Sequence, residues 1–127
     1  YLLPIEEICL DNLPDSMARF YSFEVKAYHK DKTTYICPAI IDEGLSAMIY
    51  DIAKCVFEAL SLRDYARLDI RIKNGIPYVL EINSLPGLLN GYSALTRMAN
   101  ACKLGYEGLV MKILEIAFKR YEITTFT

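Results

Sequence analysis

Residues 65–89 constrain this chain more than any other stretch. Two alternating segments, 66–72 and 78–83, flank the tight-turn signal Asn74-Gly75, so they are predicted to form one antiparallel hairpin. Side chains alternate across a strand. Leu68, Ile70 and Ile72 therefore share one face and Arg67, Asp69 and Arg71 the other. On the partner strand, Tyr78, Leu80 and Ile82 oppose Val79, Glu81 and Asn83. An ungapped two-residue turn would set Asp69 against Leu80 and mix the faces. A three-residue turn, or a bulge near Gly75, restores agreement. The expectation is an odd loop that gathers Arg67, Asp69, Glu81 and Asn83 on one face, with the apolar face packed against a helix.

On either side of this hairpin the hydrophobic period becomes helical. Leu45, Met48, Ile49, Ile52, Val56, Ala59 and Leu60 form a stripe over 44–60, opposite Asp51, Lys54 and Glu58. Tyr106, Leu109, Val110, Ile113, Leu114, Ala117 and Tyr121 form a second core stripe, preceded by Gly105. Lys119 and Arg120 suit the negative end of that helix. A shorter helix is expected around 95–101. Nearer the start, residues 1–10 alternate weakly, and 20–28 are predicted as a strand carrying Phe20, Phe23, Val25 and Ala27. A polar turn at 29–33 leads from it to a second strand at 35–37. The predicted class is α+β, a mostly antiparallel sheet with helices packed against it.

The 127 residues suffice for one domain, at roughly 100–200 residues per domain. With 54% hydrophobic and 24% charged residues, the composition is that of a folded chain rather than a charged tail. The net charge of −2 opposes a dedicated nucleic-acid binder, which needs a basic face for phosphates. The ten tyrosines are assigned to packing rather than to base stacking. The single histidine, His29, lies in a charged turn and is expected at the surface; a zinc site built on several histidines is excluded. Cys9, Cys37, Cys55 and Cys102 lack metal or redox spacing, and Cys55 and Cys102 are predicted to be small buried hydrophobes. No apolar run nears the ~20 residues of a membrane span. Without a visible signal peptide either, a reducing cytoplasm and no membrane partner are expected. The chain begins at Tyr1 rather than Met and is expected to be cut from something longer.

Asp69, Glu81 and Asn83 on neighbouring strands form an oxygen-rich set suited to a hard cation such as magnesium, which usually keeps substrate phosphates among its ligands. Arg67, one pleat from Asp69, can neutralise charge on a transferring phosphoryl group. The plain alternative is a solvated strand face with cross-strand ion pairs, and the alternation alone favours it. The sequel Ser84-Leu85-Pro86-Gly87 shifts the balance, because a Pro-Gly turn straight after the strand brings backbone N–H groups up to the cluster.

The run Arg67-Leu68-Asp69-Ile70, followed by Gly75-Ile76-Pro77-Tyr78-Val79-Leu80-Glu81-Ile82-Asn83-Ser84-Leu85-Pro86-Gly87, resembles the C-terminal signature of ATP-grasp carboxylate–amine ligases. Among these it is most similar to the D-alanine–D-alanine ligase family. The resemblance extends through Phe20-Tyr21-Ser22-Phe23-Glu24-Val25-Lys26 and Tyr35-Ile36-Cys37-Pro38-Ala39, and through Met98-Ala99 and Gly105-Tyr106-Glu107-Gly108-Leu109-Val110. It implies that residues 1–127 are the C-terminal ATP-grasp subdomain, with N-terminal and central subdomains lying outside them. It also implies ATP and a pair of magnesium ions as cofactors, with Asp69, Glu81 and Asn83 as metal ligands. Arg67 would steady the phosphoryl-transfer and tetrahedral states, and Lys26 would reach the terminal phosphate. Leu80 would lie under the adenine, and Phe20 would border the nucleotide. The Gly87 backbone matches an oxyanion-hole donor, and Tyr92 and Ser93 fall where the second substrate's carboxylate is held, Ser93 being the better match.

The implied reaction phosphorylates one amino acid's carboxylate and joins it to the amine of a second, as in peptidoglycan precursor synthesis. The implied partners are small molecules, ATP and amino acids, and a homodimer of the full-length protein is compatible with this. ATP in this fold lies between two subdomains, so the isolated chain is expected to be inactive. Departures bear on the acceptor: Ala27 replaces a common tyrosine and Arg71 a common apolar residue. The 88–97 segment is about two residues longer than usual and carries Thr96-Arg97 in place of a proline before Met98. Two rivals remain, a ligase for other amino acids or peptides and a silent domain kept for binding. Without the family, Lys26 is a solvent-exposed strand lysine, and Tyr92 and Ser93 are ordinary loop residues after Asn90-Gly91.

Overall fold

The computed structural model describes residues 1–14, 16–17 and 21–121. Its elements are β1 (Glu7–Cys9), α1 (Phe23–Tyr28), a 3-10 turn (Lys30–Lys32), β2 (Thr34–Ile36), α2 (Glu43–Ala59), β3 (Arg67–Lys73), β4 (Ile76–Asn83), α3 (Ala94–Ala101) and α4 (Gly105–Arg120). The strands pair as two antiparallel ribbons, β1 with β2 and β3 with β4. With helices packed against them, the class is α+β, as expected. Among the described residues, no helix is long and apolar enough to cross a membrane.

The N-terminal region corrects the predicted hairpin. Residues 23–28 of the expected strand are the helix α1. The Ser22 side chain accepts a hydrogen bond from the Val25 N–H at 3.1 Å, and Glu24 lies in the first turn. Both features start helices. Six residues carrying Phe23, Val25 and Ala27 are too few to separate a period of two from one of 3.6, and the cap decides. Val25, 1% exposed, packs with Leu10 and Leu13, and Met17 and Tyr21 border this core. Consequently β2 pairs with β1, through Glu7↔Ile36, Ile8↔Tyr35 and Cys9↔Thr34. Lys26 lies on α1 instead of a strand, and Phe20 lies outside the described residues.

A second core joins α3 to α4 through Leu95, Ala99 and Leu109, with Leu88 and Tyr65 packed against it. Leu88 thereby fastens the segment that follows β4. The helix α2 starts on Asp42, whose carboxylate accepts from the Leu45 N–H at 2.9 Å, and it packs on β4. Both long stripes are less buried than predicted: Met48 in α2 and Leu60 just past its end, and Leu114 in α4 and Tyr121 just past its end, are exposed. The two-stranded ribbon covers only part of α2, and α4 packs on α3, a helix of 8 residues against its own 16. Cys55, expected to be buried, is exposed, and Cys102 is half-buried. Cys55 is six positions past Ile49, about 120° round α2 from the packed side. The basic last turn of α4 meets carboxylates, Lys119 on Glu115 at 2.9 Å and Arg120 on Asp64 at 2.5 Å.

The Ser22 cap gives a direct check on α1. Ser22→Ala should lower unfolding stability by about 1 kcal/mol and Ser22→Gly by only a few tenths, measured by urea denaturation. Equal costs for the two substitutions would contradict the cap.

Candidate active site

The hairpin reaches the predicted cluster by another route. Lys73 faces Ile76 across the two-residue turn Asn74-Gly75, both at positive φ (53° and 74°). That geometry belongs to tight hairpins and is easy for Gly and Asn. The turn is therefore even, not odd. Agreement comes from a bulge farther along: Ile70 faces Val79 but Asp69 faces Glu81, which leaves Leu80 unpaired. Tyr78, opposite Arg71, consequently joins the polar side, and Val79 joins the apolar one, the reverse of the expected assignment. Beyond the bulge Asp69 lies opposite Glu81 and Arg67 opposite Asn83, so the expected four residues do share a face.

Two carboxylates directly opposite each other repel. The Arg67 guanidinium offsets this by gripping Asp69 with two parallel hydrogen bonds, Nε to Oδ1 at 2.7 Å and Nη2 to Oδ2 at 2.9 Å. These bonds raise the Arg67 pKa above its ordinary value; partial burial opposes them, and the Asp69 and Glu81 charges add to them. The Asn83 side-chain oxygen accepts from the Leu85 N–H at 3.0 Å and starts the turn toward Gly87. Among the described residues, no three His, Cys, Asp or Glu side chains form a metal cage. Two carboxylates and one carboxamide oxygen fit an ion that completes its shell with substrate phosphates better than one enclosed by protein. Leu80 stands on the bulge, 68% exposed.

The segment after the turn folds back on itself. A Cβ added to Gly87 would lie 3.0 Å from Ser93 Oγ. Ser93 precedes α3, but its hydroxyl does not cap the helix; it accepts from the Leu89 N–H at 3.0 Å. The fully buried Thr96 hydroxyl shares its proton between the carbonyls of Ser93 (2.8 Å) and Leu89 (3.0 Å). Tyr92 is exposed. An open cleft of about 430 Å³ at the start of α4, lined by Asn90, Asn100 and residues 104–108, includes none of the predicted site residues.

Sequence reasoning missed a neighbouring cluster. Arg97 forks onto Glu6, Nε to Oε2 at 2.6 Å and Nη2 to Oε1 at 2.5 Å, while its Nη1 donates to the Tyr92 carbonyl. Its guanidinium also stacks 4.0 Å from the Tyr35 ring centre. The bonds to Glu6 raise the Arg97 pKa, against partial burial. The Tyr35 hydroxyl lies 2.9 Å from that of Tyr21, whose pKa is pushed up by burial and by this hydrogen bond. The only signal in the sequence was Thr96-Arg97 in place of a proline. Nothing local tied Arg97 to Glu6, far away along the chain.

A model of the "D-ala D-ala ligase C-terminus" family matches residues 3–115. The chain belongs to this family. It is 34% identical over 113 residues to a D-alanine–D-alanine ligase of Maridesulfovibrio salexigens, covering 89% of this chain and 36% of that protein. It is 36% identical over 121 residues to an uncharacterised protein, y4sG, of Sinorhizobium fredii, covering 94% and 35%. A crystal structure of D-alanine–D-alanine ligase from Bacillus anthracis superposes with a TM-score of 0.73 at 29% identity over 94% of this chain and 36% of that one; the same enzyme complexed with ATP matches equally well. The chain spans about a third of the length of these relatives.

The contact between Gly87 and Ser93 makes a testable pair. Gly87→Ala should displace the Ser93 hydroxyl and cost about 1 kcal/mol for the lost Leu89 bond. In a Ser93→Ala background the same change should cost markedly less. Strict additivity in this double-mutant cycle would contradict the close approach.

Proposed function

We propose that the chain is the C-terminal ATP-grasp part of a cytoplasmic ligase that joins two amino acids using ATP, with D-alanine as the first candidate substrate. The observation that supports this best is the register at the Leu80 bulge, which sets Asp69 against Glu81 and Arg67 against Asn83 in a chain of this family. Asp69, Glu81 and Asn83 would hold magnesium, which supplies charge neutralisation for the ATP phosphates. Arg67 turns part of its fork from Asp69 to the transferring phosphoryl group, where a planar cation matches the equatorial oxygens. Lys26 is assigned to the terminal phosphate, and Phe20 and Leu80 to the nucleotide.

The first carboxylate attacks the γ-phosphorus of ATP, the bond to the β–γ bridging oxygen breaks, and ADP leaves. The second amino acid's amine then attacks the acyl phosphate, loses a proton and expels phosphate. The Gly87 N–H donates to the oxyanion, and the Tyr92-Ser93 segment receives the second carboxylate. The long 88–97 segment, held by Arg97 on Glu6, favours a second reading in which the acceptor is another amino acid or a peptide. Exposed Leu80 leaves one wall of a nucleotide site open, and the 127 residues alone are expected to release no ADP.

The test is ADP release by the natural protein that carries this chain, given Mg-ATP and D-alanine, L-alanine or other amino acids. Stimulation by D-alanine alone supports a dipeptide ligase of the cell-wall type. Stimulation by another amino acid supports the second reading, and no stimulation by any amino acid or peptide overturns both. Glu81→Ala and Asn83→Ala should abolish turnover. Arg67→Ala should lower kcat by roughly 10²–10³-fold with KM for ATP little changed. Wild-type turnover in Arg67→Ala would remove this arginine from the mechanism.

A further inference from the structure

We propose that Arg97 is a positioning residue for the acceptor end of the site, acting with Glu6 to hold the 88–93 segment in one shape. The acceptor assignment rests on the function proposed above; the clamp itself rests on geometry alone. All three nitrogens of the Arg97 guanidinium are engaged within the chain, Nε and Nη2 on Glu6 and Nη1 on the Tyr92 carbonyl, and one face lies on Tyr35. The Glu6 side chain is 2% exposed and that of Arg97 23%. A cation already bound by each of its nitrogens within the chain acts chiefly through what it grips.

That grip falls on both sides of Ser93. Because a peptide unit is planar, fixing the Tyr92 carbonyl also fixes the Ser93 N–H, which donates to the Leu89 carbonyl at 2.9 Å. The Arg97 backbone N–H meanwhile donates to the Ser93 carbonyl at 3.1 Å. The Ser93 hydroxyl is thus set between two peptide groups that Arg97 holds, beside Gly87. Glu6 ties this arrangement to the residue immediately before β1, and Tyr35 ties it to β2. A lysine keeps the charge but cannot reproduce a fork that also reaches a third acceptor.

The test compares the wild-type natural protein with Arg97→Lys and with the isosteric Glu6→Gln, which serves if the first variant folds poorly. Amide hydrogen exchange at Leu89, Tyr92 and Ser93 should quicken by about 10-fold or more while α4 amides change less than about 2-fold. KM for the acceptor amino acid should rise about 10-fold with KM for ATP nearly constant. Unchanged exchange at 88–93, an equal rise in α4, or a parallel rise in both KM values would overturn the proposal. If the wild type shows no amino-acid-dependent ADP release, the functional reading fails. The exchange data then still decide whether Arg97 holds the segment.

Discussion

Because side chains alternate along a strand, the single unpaired residue Leu80 reverses the facing of β4 between its two ends, and the polar face depends on that reversal. On the turn side of the bulge, Val79 lies with Ile70 on the apolar face. On the far side, Ile82 lies with Leu68, and Glu81 and Asn83 are delivered to Asp69 and Arg67. Bulges bend and twist the strand that carries them, and they recur beside active sites because they re-aim side chains. Here the bulge leaves Leu80 standing free next to the carboxylates, so one irregularity supplies both an apolar platform and the acidic pair.

The acidic pair in turn constrains the residues around it. Asp69 and Glu81 face each other, and Arg67 offsets their charge through its fork on Asp69. Asn83 brings no charge to this crowded face. Its oxygen instead starts the turn to Gly87, so the end of the strand and the entry to the next segment are fixed by one side chain. Gly87 then permits the close approach of Ser93, which a Cβ would meet at 3.0 Å.

Much of this was legible from periodicity. The hairpin, both long helices and the shared face of Arg67, Asp69, Glu81 and Asn83 followed from alternation and parity. Parity, however, requires only that an extra residue exist; it does not locate it. The strong Asn74-Gly75 turn kept its two-residue form, and the irregularity moved to Leu80. The helix α1 was misread because three alternating apolar residues outweighed Ser22 and Glu24, a start signal carried by one hydrogen bond. Exposure of Met48, Cys55 and Leu114 was hidden for a different reason, since amphipathicity shows which face is apolar but not how much of it has a partner. The Glu6–Arg97 pair joins distant parts of the chain and left no local periodic trace.

The two forked arginines have the same chemistry and different consequences, and burial separates them. Arg67 and Asp69 keep 27% and 40% of their side-chain surface in contact with solvent. Water screens such a pair, its net contribution is small, and either partner can be drawn to a new charge at little cost. Glu6 keeps only 2%, so an unpaired Glu6 would be a buried charge without compensation. Breaking a buried pair by removing one partner costs far more than the pair contributes when intact. The first fork can therefore open toward an incoming anion, whereas the second resists opening. Under the function proposed above, a site that must transfer charge at one end and hold a segment still at the other needs one of each.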